Sequence, residues 1–172
     1  MIVIKSKKFV LRSFKKGDEK SLQKNINDKD IYKYTLRIPY PYTMKDAKKW
    51  VNSYLKLKGK KKKTKIMFAI DINGEVAGVI GFDPIENHKA EIGYWLAKKY
   101  WSQGIMTEAV ELVTKFGFQR IKLKRITAPV FSKNKASARV LEKNGYKFEG
   151  LLRKHYFKDE KFIDALLYAK VN

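Results

Sequence analysis

The stretch from Glu91 to Phe131 restricts the fold more than any other part of the chain. Glu91-Ile92-Gly93-Tyr94-Trp95-Leu96 reads as a strand. An amphipathic helix follows from Gly104 to about Phe118, with Ile105, Ala109, Leu112, Val113 and Phe116 on one face at helical spacing. Arg125 to Phe131 reads as a second strand. A strand, a crossover helix and a further strand imply a parallel pair with a right-handed connection. Pro129 sits inside the second strand, where it has no N–H to give a ladder. Either that strand is an edge, or the two parallel strands part there and open a slot. At the strand-to-helix junction, Gly104 lets backbone N–H groups approach a ligand without Cβ interference. The first N–H groups of a helix lack internal partners, and its dipole favours anions. Two readings of this junction stand: a phosphate seat at Gln103 to Thr107, or a glycine that merely permits a tight turn.

The flanking sequence supplies an antiparallel frame. Phe9 to Arg12 reads as a strand, and Gly17-Asp18 starts a short helix carrying Leu22 and Ile26 inward. An irregular loop from Tyr34 to Tyr42, rich in aromatics and prolines, is placed to line a pocket. Thr43, with Asp46 at the capping-box position, starts a helix that buries Ala47, Trp50 or Val51, Tyr54 and Leu55. Ile66 to Ile72 and Glu75 to Phe82 flank Asn73-Gly74, a strong hairpin signal. Asn134 caps a helix bearing Ala136, Val140 and Leu141, with Gly145 placed to end it. Phe148 to Ala169 reads as a hairpin turning near Lys158 to Lys161. With no linker and no repeat, residues 1–172 are expected to form one mixed α/β domain with a mostly antiparallel sheet flanked by helices.

The formal charge of +22 attracts anions generally, RNA and nucleotides included. Lys58 to Lys65 is the one low-complexity run, either a self-repelling solvated loop or a contact for phosphate backbones. The chain has no cysteine, which excludes disulfides, thiolate metal sites and a cysteine nucleophile. Its two histidines, His88 and His155, lie far apart, so no catalytic metal is expected. The apolar run at Ile2 to Ile4 is too short for a secretory signal, and no stretch approaches membrane-spanning length. A cytoplasmic protein without membrane association is expected.

Together with Asn134-Lys135-Ala136-Ser137-Ala138-Arg139-Val140-Leu141-Glu142-Lys143-Asn144-Gly145-Tyr146, the segments Glu91 to Leu96 and Trp101 to Ala109 resemble the GNAT acetyltransferases. They are most similar to the RimJ/RimL branch, which acetylates N-terminal amines of ribosomal proteins. The likeness runs from Phe9 to Ala169. It implies the family's splayed parallel strand pair and acetyl-CoA as co-substrate, with no metal. The pyrophosphate would rest on N–H groups of Gln103, Gly104, Ile105, Met106 and Thr107. The pantetheine would pair with backbone at Trp95 and Leu96, with Asn134 on the other side and Lys143 within reach of the 3′-phosphate. Two departures accompany the likeness. In the phosphate loop pattern Gln/Arg-x-x-Gly-x-Gly/Ala, Trp101 takes the first place and Met106 the last, setting a bulky side chain beside the phosphates. Where many members carry a tyrosine acid, this chain has Leu141.

The resemblance implies direct attack of an amine on the thioester, with no covalent enzyme intermediate. Glu91 is the candidate proton acceptor; the alternative is a surface carboxylate paired with a nearby lysine. Ser137 is the candidate donor to the departing thiolate, or a plain first-turn hydroxyl. Tyr40 and Tyr156 are candidate substrate contacts, Tyr156 equally readable as aromatic core. Trp95, Trp101 and Lys143 also admit the plainer readings of packing and solvation. The acceptor expected is a protein N-terminus, the partner surface ribosomal or RNA-associated, the oligomeric state monomer or homodimer. Competing readings are a small-molecule amine acetyltransferase, for a polyamine or an antibiotic, and a non-catalytic RNA-binding protein on the same scaffold.

Overall fold

The computed structural model describes residues 2–56 and 64–172, so most of the lysine run, Lys58 to Lys63, lies outside the described residues. Eight strands form one sheet: β1 (Val3–Lys5), β2 (Val10–Arg12), β3 (Ile66–Ile72), β4 (Glu75–Glu86), β5 (Lys89–Leu96), β6 (Arg125–Phe131), β7 (Lys147–Lys158) and β8 (Lys161–Val171). Their spatial order is β1-β2-β3-β4-β5-β6-β8-β7. Every pairing is antiparallel except β5 with β6. The helices are α1 (Asp18–Ile26), α2 (Lys29–Lys33), α3 (Met44–Leu55), α4 (Ile105–Phe116) and α5 (Lys135–Lys143).

Local chemistry accounts for these boundaries. The expected hairpin forms at Asn73-Gly74, with φ of 54° and 84°, the left-handed pair that a two-residue turn between twisted strands requires. Thr43 and Asp46 make a reciprocal capping box at the start of α3. Asn134 accepts the Ser137 N–H at 3.1 Å to cap α5. Four elements escape the sequence reading: β1, the single-turn-scale α2, a 3-10 turn at Lys98–Tyr100, and a π-helical turn at Gly117–Ile121 that ends α4. Of the two alternatives on α3, Val51 rather than Trp50 is the one fully buried, alongside Ala47. One helix face differs. In α5 Ala138 is buried whereas Ala136 is exposed.

The sheet carries a core on each face. On one side α4 packs Ile105, Met106, Ala109, Val110 and Val113 against Phe68, Ile80, Phe82, Ile92 and Ile126. On the other, α1 and α3 bury Leu22, Ile26, Ala47 and Val51 with Val76, Val79 and Trp95. Each fully buried aliphatic of this size contributes ~1.5–3 kcal/mol. The apolar stripe of α4 therefore fixes where its first turn sits relative to β5. Successive residues of β5 face opposite cores: Ile92, Tyr94 and Leu96 join the α4 side, Trp95 the α3 side.

Candidate active site

The loop from β5 to α4 is braced by its own side chains. Trp101 Nε1 donates to the Leu96 carbonyl at 2.7 Å, and Gln103 Nε2 donates to the Lys99 carbonyl at 2.9 Å. Lys8, from the turn between β1 and β2, donates from Nζ to the Gln103 carbonyl at 3.0 Å. Ser102 and Gly104 both adopt left-handed backbone, with φ of 60° and 76°. The first helical bond is from the Glu108 N–H to the Gly104 carbonyl at 3.1 Å, and no side chain caps the helix. Among the described residues, no protein acceptor takes the amides of Gln103 to Thr107. Alternating left-handed residues turn successive N–H groups toward one concavity, at the positive end of a three-turn helix. This cradle suits a diphosphate.

Met106 is turned away from that concavity. Its side chain is only 9% exposed and belongs to the α4 core, as does Ile105 at 4%. The expectation of a bulky group beside the phosphates is therefore corrected: both residues present backbone alone. Thr107 borders a groove of about 670 Å³ between α4 and α5, whose rim includes Lys115, Lys143 and Lys170. Lys143 itself is exposed there. Asn144 Nδ2 ties the two helices by donating to the Thr107 carbonyl at 3.1 Å.

The parallel pair parts as Pro129 suggested. β5 and β6 register only at Lys89↔Arg125, Ala90↔Ile126 and Glu91↔Thr127. Beyond that, β5 stays on β4 as far as Leu96↔Gly78, while β6 stays on β8 as far as Phe131↔Ala165. Pro129, opposite Leu167, thus sacrifices no β5 hydrogen bond. The β5 edge from Ile92 to Leu96 borders the opening. Trp95 and Leu96 are 8% and 7% exposed, so they too offer backbone rather than side chain, and the Leu96 carbonyl already receives the Trp101 indole.

Across the opening, Tyr94 reaches α5. Its hydroxyl lies 2.9 Å from Ser137 Oγ. Burial pushes the Tyr94 phenol pKa well up, so it remains a proton-bearing group at neutral pH. Leu141, where a tyrosine acid was missed, is fully buried core. Asn134 spends its Oδ1 on the Ser137 N–H, so its remaining polar group toward a ligand is the side-chain NH2.

Glu91 lies on the opposite face of the strand, half-buried beside a cleft of about 420 Å³ that Pro84, Glu86, Lys89, Arg125 and Thr127 also line. Burial raises its pKa, Arg37 opposes that shift and Asp83 adds to it. Among the described residues no cation pairs with Glu91; Lys89 instead meets Glu86 at 3.3 Å, and Arg37 meets Asp83 at 4.0 Å. Tyr156 stands close enough for Glu91 to contribute to its pKa, which burial first of all pushes up to about 12, and its ring packs 5.3 Å from Phe131. Tyr40 does not join this group. Its ring stacks on Tyr32 at 5.9 Å, with Lys29 Nζ 5.8 Å away. The Tyr34 to Tyr42 loop reaches the cluster through Arg37 instead. It is pinned from the β7–β8 turn by buried Lys158, whose Nζ donates to the carbonyls of Tyr32 and Thr35. Among the described residues no group of three or more His, Asp or Glu side chains is arranged to hold a metal ion.

Sequence reasoning passed over Tyr94, Arg37, Lys8 and Lys158. Strand alternation from Ile92 was a usable signal for Tyr94. The other three meet the site through contacts that span many residues and leave no local pattern.

Comparison with known proteins agrees with this geometry. The sequence pattern of the acetyltransferase (GNAT) domain matches residues 8–147. The uncharacterized N-acetyltransferase p20 of Bacillus licheniformis is 30% identical over 98% of this chain and 96% of its own. Two further matches span less of their partners' length: the N-acetyltransferase YoaA of Bacillus subtilis, 36% identical over 56% of each chain, and the ribosomal-protein-serine acetyltransferase of Escherichia coli, 36% identical over 61% of this chain and 60% of that one. The structure of RimL, the ribosomal L7/L12 alpha-N-protein acetyltransferase, in complex with coenzyme A superposes with a TM-score of 0.88 at 25% identity, covering 99% of this chain and 98% of that one. An open parallel pair, an unpartnered amide cradle at the helix that follows it, and a family pattern spanning both lead to one conclusion: this chain belongs to the GNAT acetyltransferases.

Proposed function

We propose that the chain transfers the acetyl group of acetyl-CoA to the N-terminal α-amine of a ribosomal protein. The observation that carries the reading is that the β5–β6 opening pierces the sheet between two differently equipped faces. Glu91 stands on one face, Tyr94 with Ser137 on the other. A thioester threaded through the opening, with its diphosphate on the Gly104 cradle, meets a proton acceptor from one side and hydroxyl donors from the other.

The steps follow from that placement. A neutral amine on the Glu91 side attacks the thioester carbonyl carbon; the nitrogen's surplus proton passes to Glu91, directly or through water. Collapse breaks the C–S bond; the departing thiolate takes a proton from Ser137, which takes one from Tyr94. Tyr94 is reprotonated by way of solvent as Glu91 releases the proton it accepted, which restores the enzyme. The amide product forms and no bond to the enzyme is made. An α-amine of pKa about 7.8 is roughly one-seventh neutral at pH 7, against about 1 in 2,500 for a lysine side chain. One half-buried carboxylate is sufficient help for the former.

Similarity to ribosomal-protein acetyltransferases supports the acceptor class. Charge supports it too, since a +22 chain is drawn to RNA-rich assemblies. Polycationic small molecules fit less well. The acids at the mouth, Asp83 and Glu86, are offset by Arg37 and Lys89. Initial rates against N-terminal peptides of ribosomal proteins, with polyamines and aminoglycosides in parallel, test the proposal. Peptides should dominate kcat/KM; a dominant small amine overturns the acceptor assignment.

A further inference from the structure

We propose that Lys8 is a positioning residue for the diphosphate of acetyl-CoA, fixing the peptide plane that aims the Gly104 N–H into the cradle. The proposal rests on the acetyl-CoA reading above and concerns a residue from the β1–β2 edge of the sheet.

Lys8 is set in place by its own turn. The Ser6 N–H donates to the Phe9 carbonyl at 3.0 Å, the Lys8 N–H donates to Ser6 Oγ at 3.0 Å, and Phe9 is buried in the α4 core at 3% exposure. The side chain then spans 95 positions of sequence to place Nζ 3.0 Å from the Gln103 carbonyl. It lies 3.9 Å from where a Cβ on Gly104 would be, the nearest atom to that point. In a trans peptide the carbonyl and the following N–H point in opposite directions. An ammonium gripping the Gln103 oxygen on one side therefore turns the Gly104 N–H to the other. It also polarises the peptide and strengthens that N–H as a donor.

The braces from Trp101 and Gln103 run within the loop and to the end of β5. Lys98 and Lys99 tie the loop's first residues to Asp30 and Glu75. Among the described residues, Lys8 is the brace from outside the loop that reaches the Gln103–Gly104 peptide itself. Ser102, Gln103 and Gly104 are exposed, so packing alone does not define the orientation of this peptide.

The test compares Lys8→Met with Lys8→Arg and with Lys7→Met, an exposed neighbour that removes the same charge without touching the loop. Three donors are used: acetyl-CoA, its 3′-dephospho form, and S-acetyl-pantetheine, which has no phosphate. Losing one hydrogen bond of this kind should raise the KM for acetyl-CoA about three- to tenfold, with kcat within about twofold. The same factor is expected with the dephospho donor and none with S-acetyl-pantetheine. Lys8→Arg should keep wild-type KM, and so should Lys7→Met. An undiminished loss with S-acetyl-pantetheine overturns the proposal, as does a loss confined to donors bearing the 3′-phosphate. Equal effects of Lys7→Met and Lys8→Met reduce the matter to bulk charge and also overturn it. If the wild-type chain shows no saturable use of acetyl-CoA, the broader reading fails first, and that outcome is visible before any variant is made.

Discussion

Replacing Gly104 by alanine separates backbone conformation from everything else in the cradle. The residue has φ 76° and ψ −2°. An L-residue held there costs ~1–2 kcal/mol, partly offset by the ~0.4–1 kcal/mol that alanine gains by narrowing the unfolded ensemble. The net penalty on folding stability is about 1 kcal/mol. Sterics add nothing, because the added Cβ meets only the end of the flexible Lys8 side chain at 3.9 Å. Since residues 102–104 are exposed, the free protein relieves the strain by moving the loop, and binding must restore it. The unfolded state does not enter a binding equilibrium, so the full ~1–2 kcal/mol of strain corresponds to a roughly five- to thirtyfold weaker Kd for acetyl-CoA, measured by calorimetry. Gly17→Ala is the control: φ is 96°, nothing lies within 4 Å, and the site is at the start of α1. There the strain should appear as a Tm lowered by ~2–4 °C, with Kd unchanged. An unchanged Kd for Gly104→Ala, or equal weakening by Gly17→Ala, refutes the reasoning.

Two further variants probe the chemistry on either face of the sheet. Glu91→Gln should lower kcat/KM by about a hundredfold or more and remove the acid limb of the pH profile. In the wild type that limb should lie above the ordinary glutamate range, because burial raises the pKa of Glu91. The sign for stability is opposite to that of a paired carboxylate. A raised folded pKa means ionisation opposes folding once pH exceeds the unfolded value, so the glutamine variant should melt no lower than wild type at pH 7. Tyr94→Phe should reduce kcat by about a hundredfold while sparing the KM for acetyl-CoA. Adding Ser137→Ala should then cost much less than it does alone, since the two hydroxyls act through one 2.9 Å contact. Additive losses in the double variant would contradict a shared proton path.

The frame of the molecule was open to reading because its signals are local. Asn73-Gly74, Thr43 with Asp46, and Asn134 each fix backbone geometry within a few residues, and all three act as expected. Pro129 was informative for the same reason: a missing N–H in a central strand has few structural explanations, and the early end of the β5–β6 register is one of them. Periodicity was less decisive for which side chain lies innermost. The stripe of α4 was drawn without Met106 and Val110, both of which are buried, because α4 packs across a broad face of the sheet rather than along a narrow seam. Short elements such as β1 and α2 carry too few residues for a pattern to stand out. The acceptor side was the least legible. Arg37 and Lys158 act on loops and turns far from β5 in sequence, and Tyr40, chosen for its place in an aromatic loop, stacks on Tyr32 instead.

The cradle itself can be watched in solution by labelling the backbone with 15N and titrating coenzyme A while following amide resonances. The amides of Gly104 to Thr107 should move downfield and saturate together, with hydrogen exchange slowed at the same positions. Saturable binding of coenzyme A that leaves those amides unmoved would show that the diphosphate rests elsewhere, and that the start of α4 is a turn and nothing more.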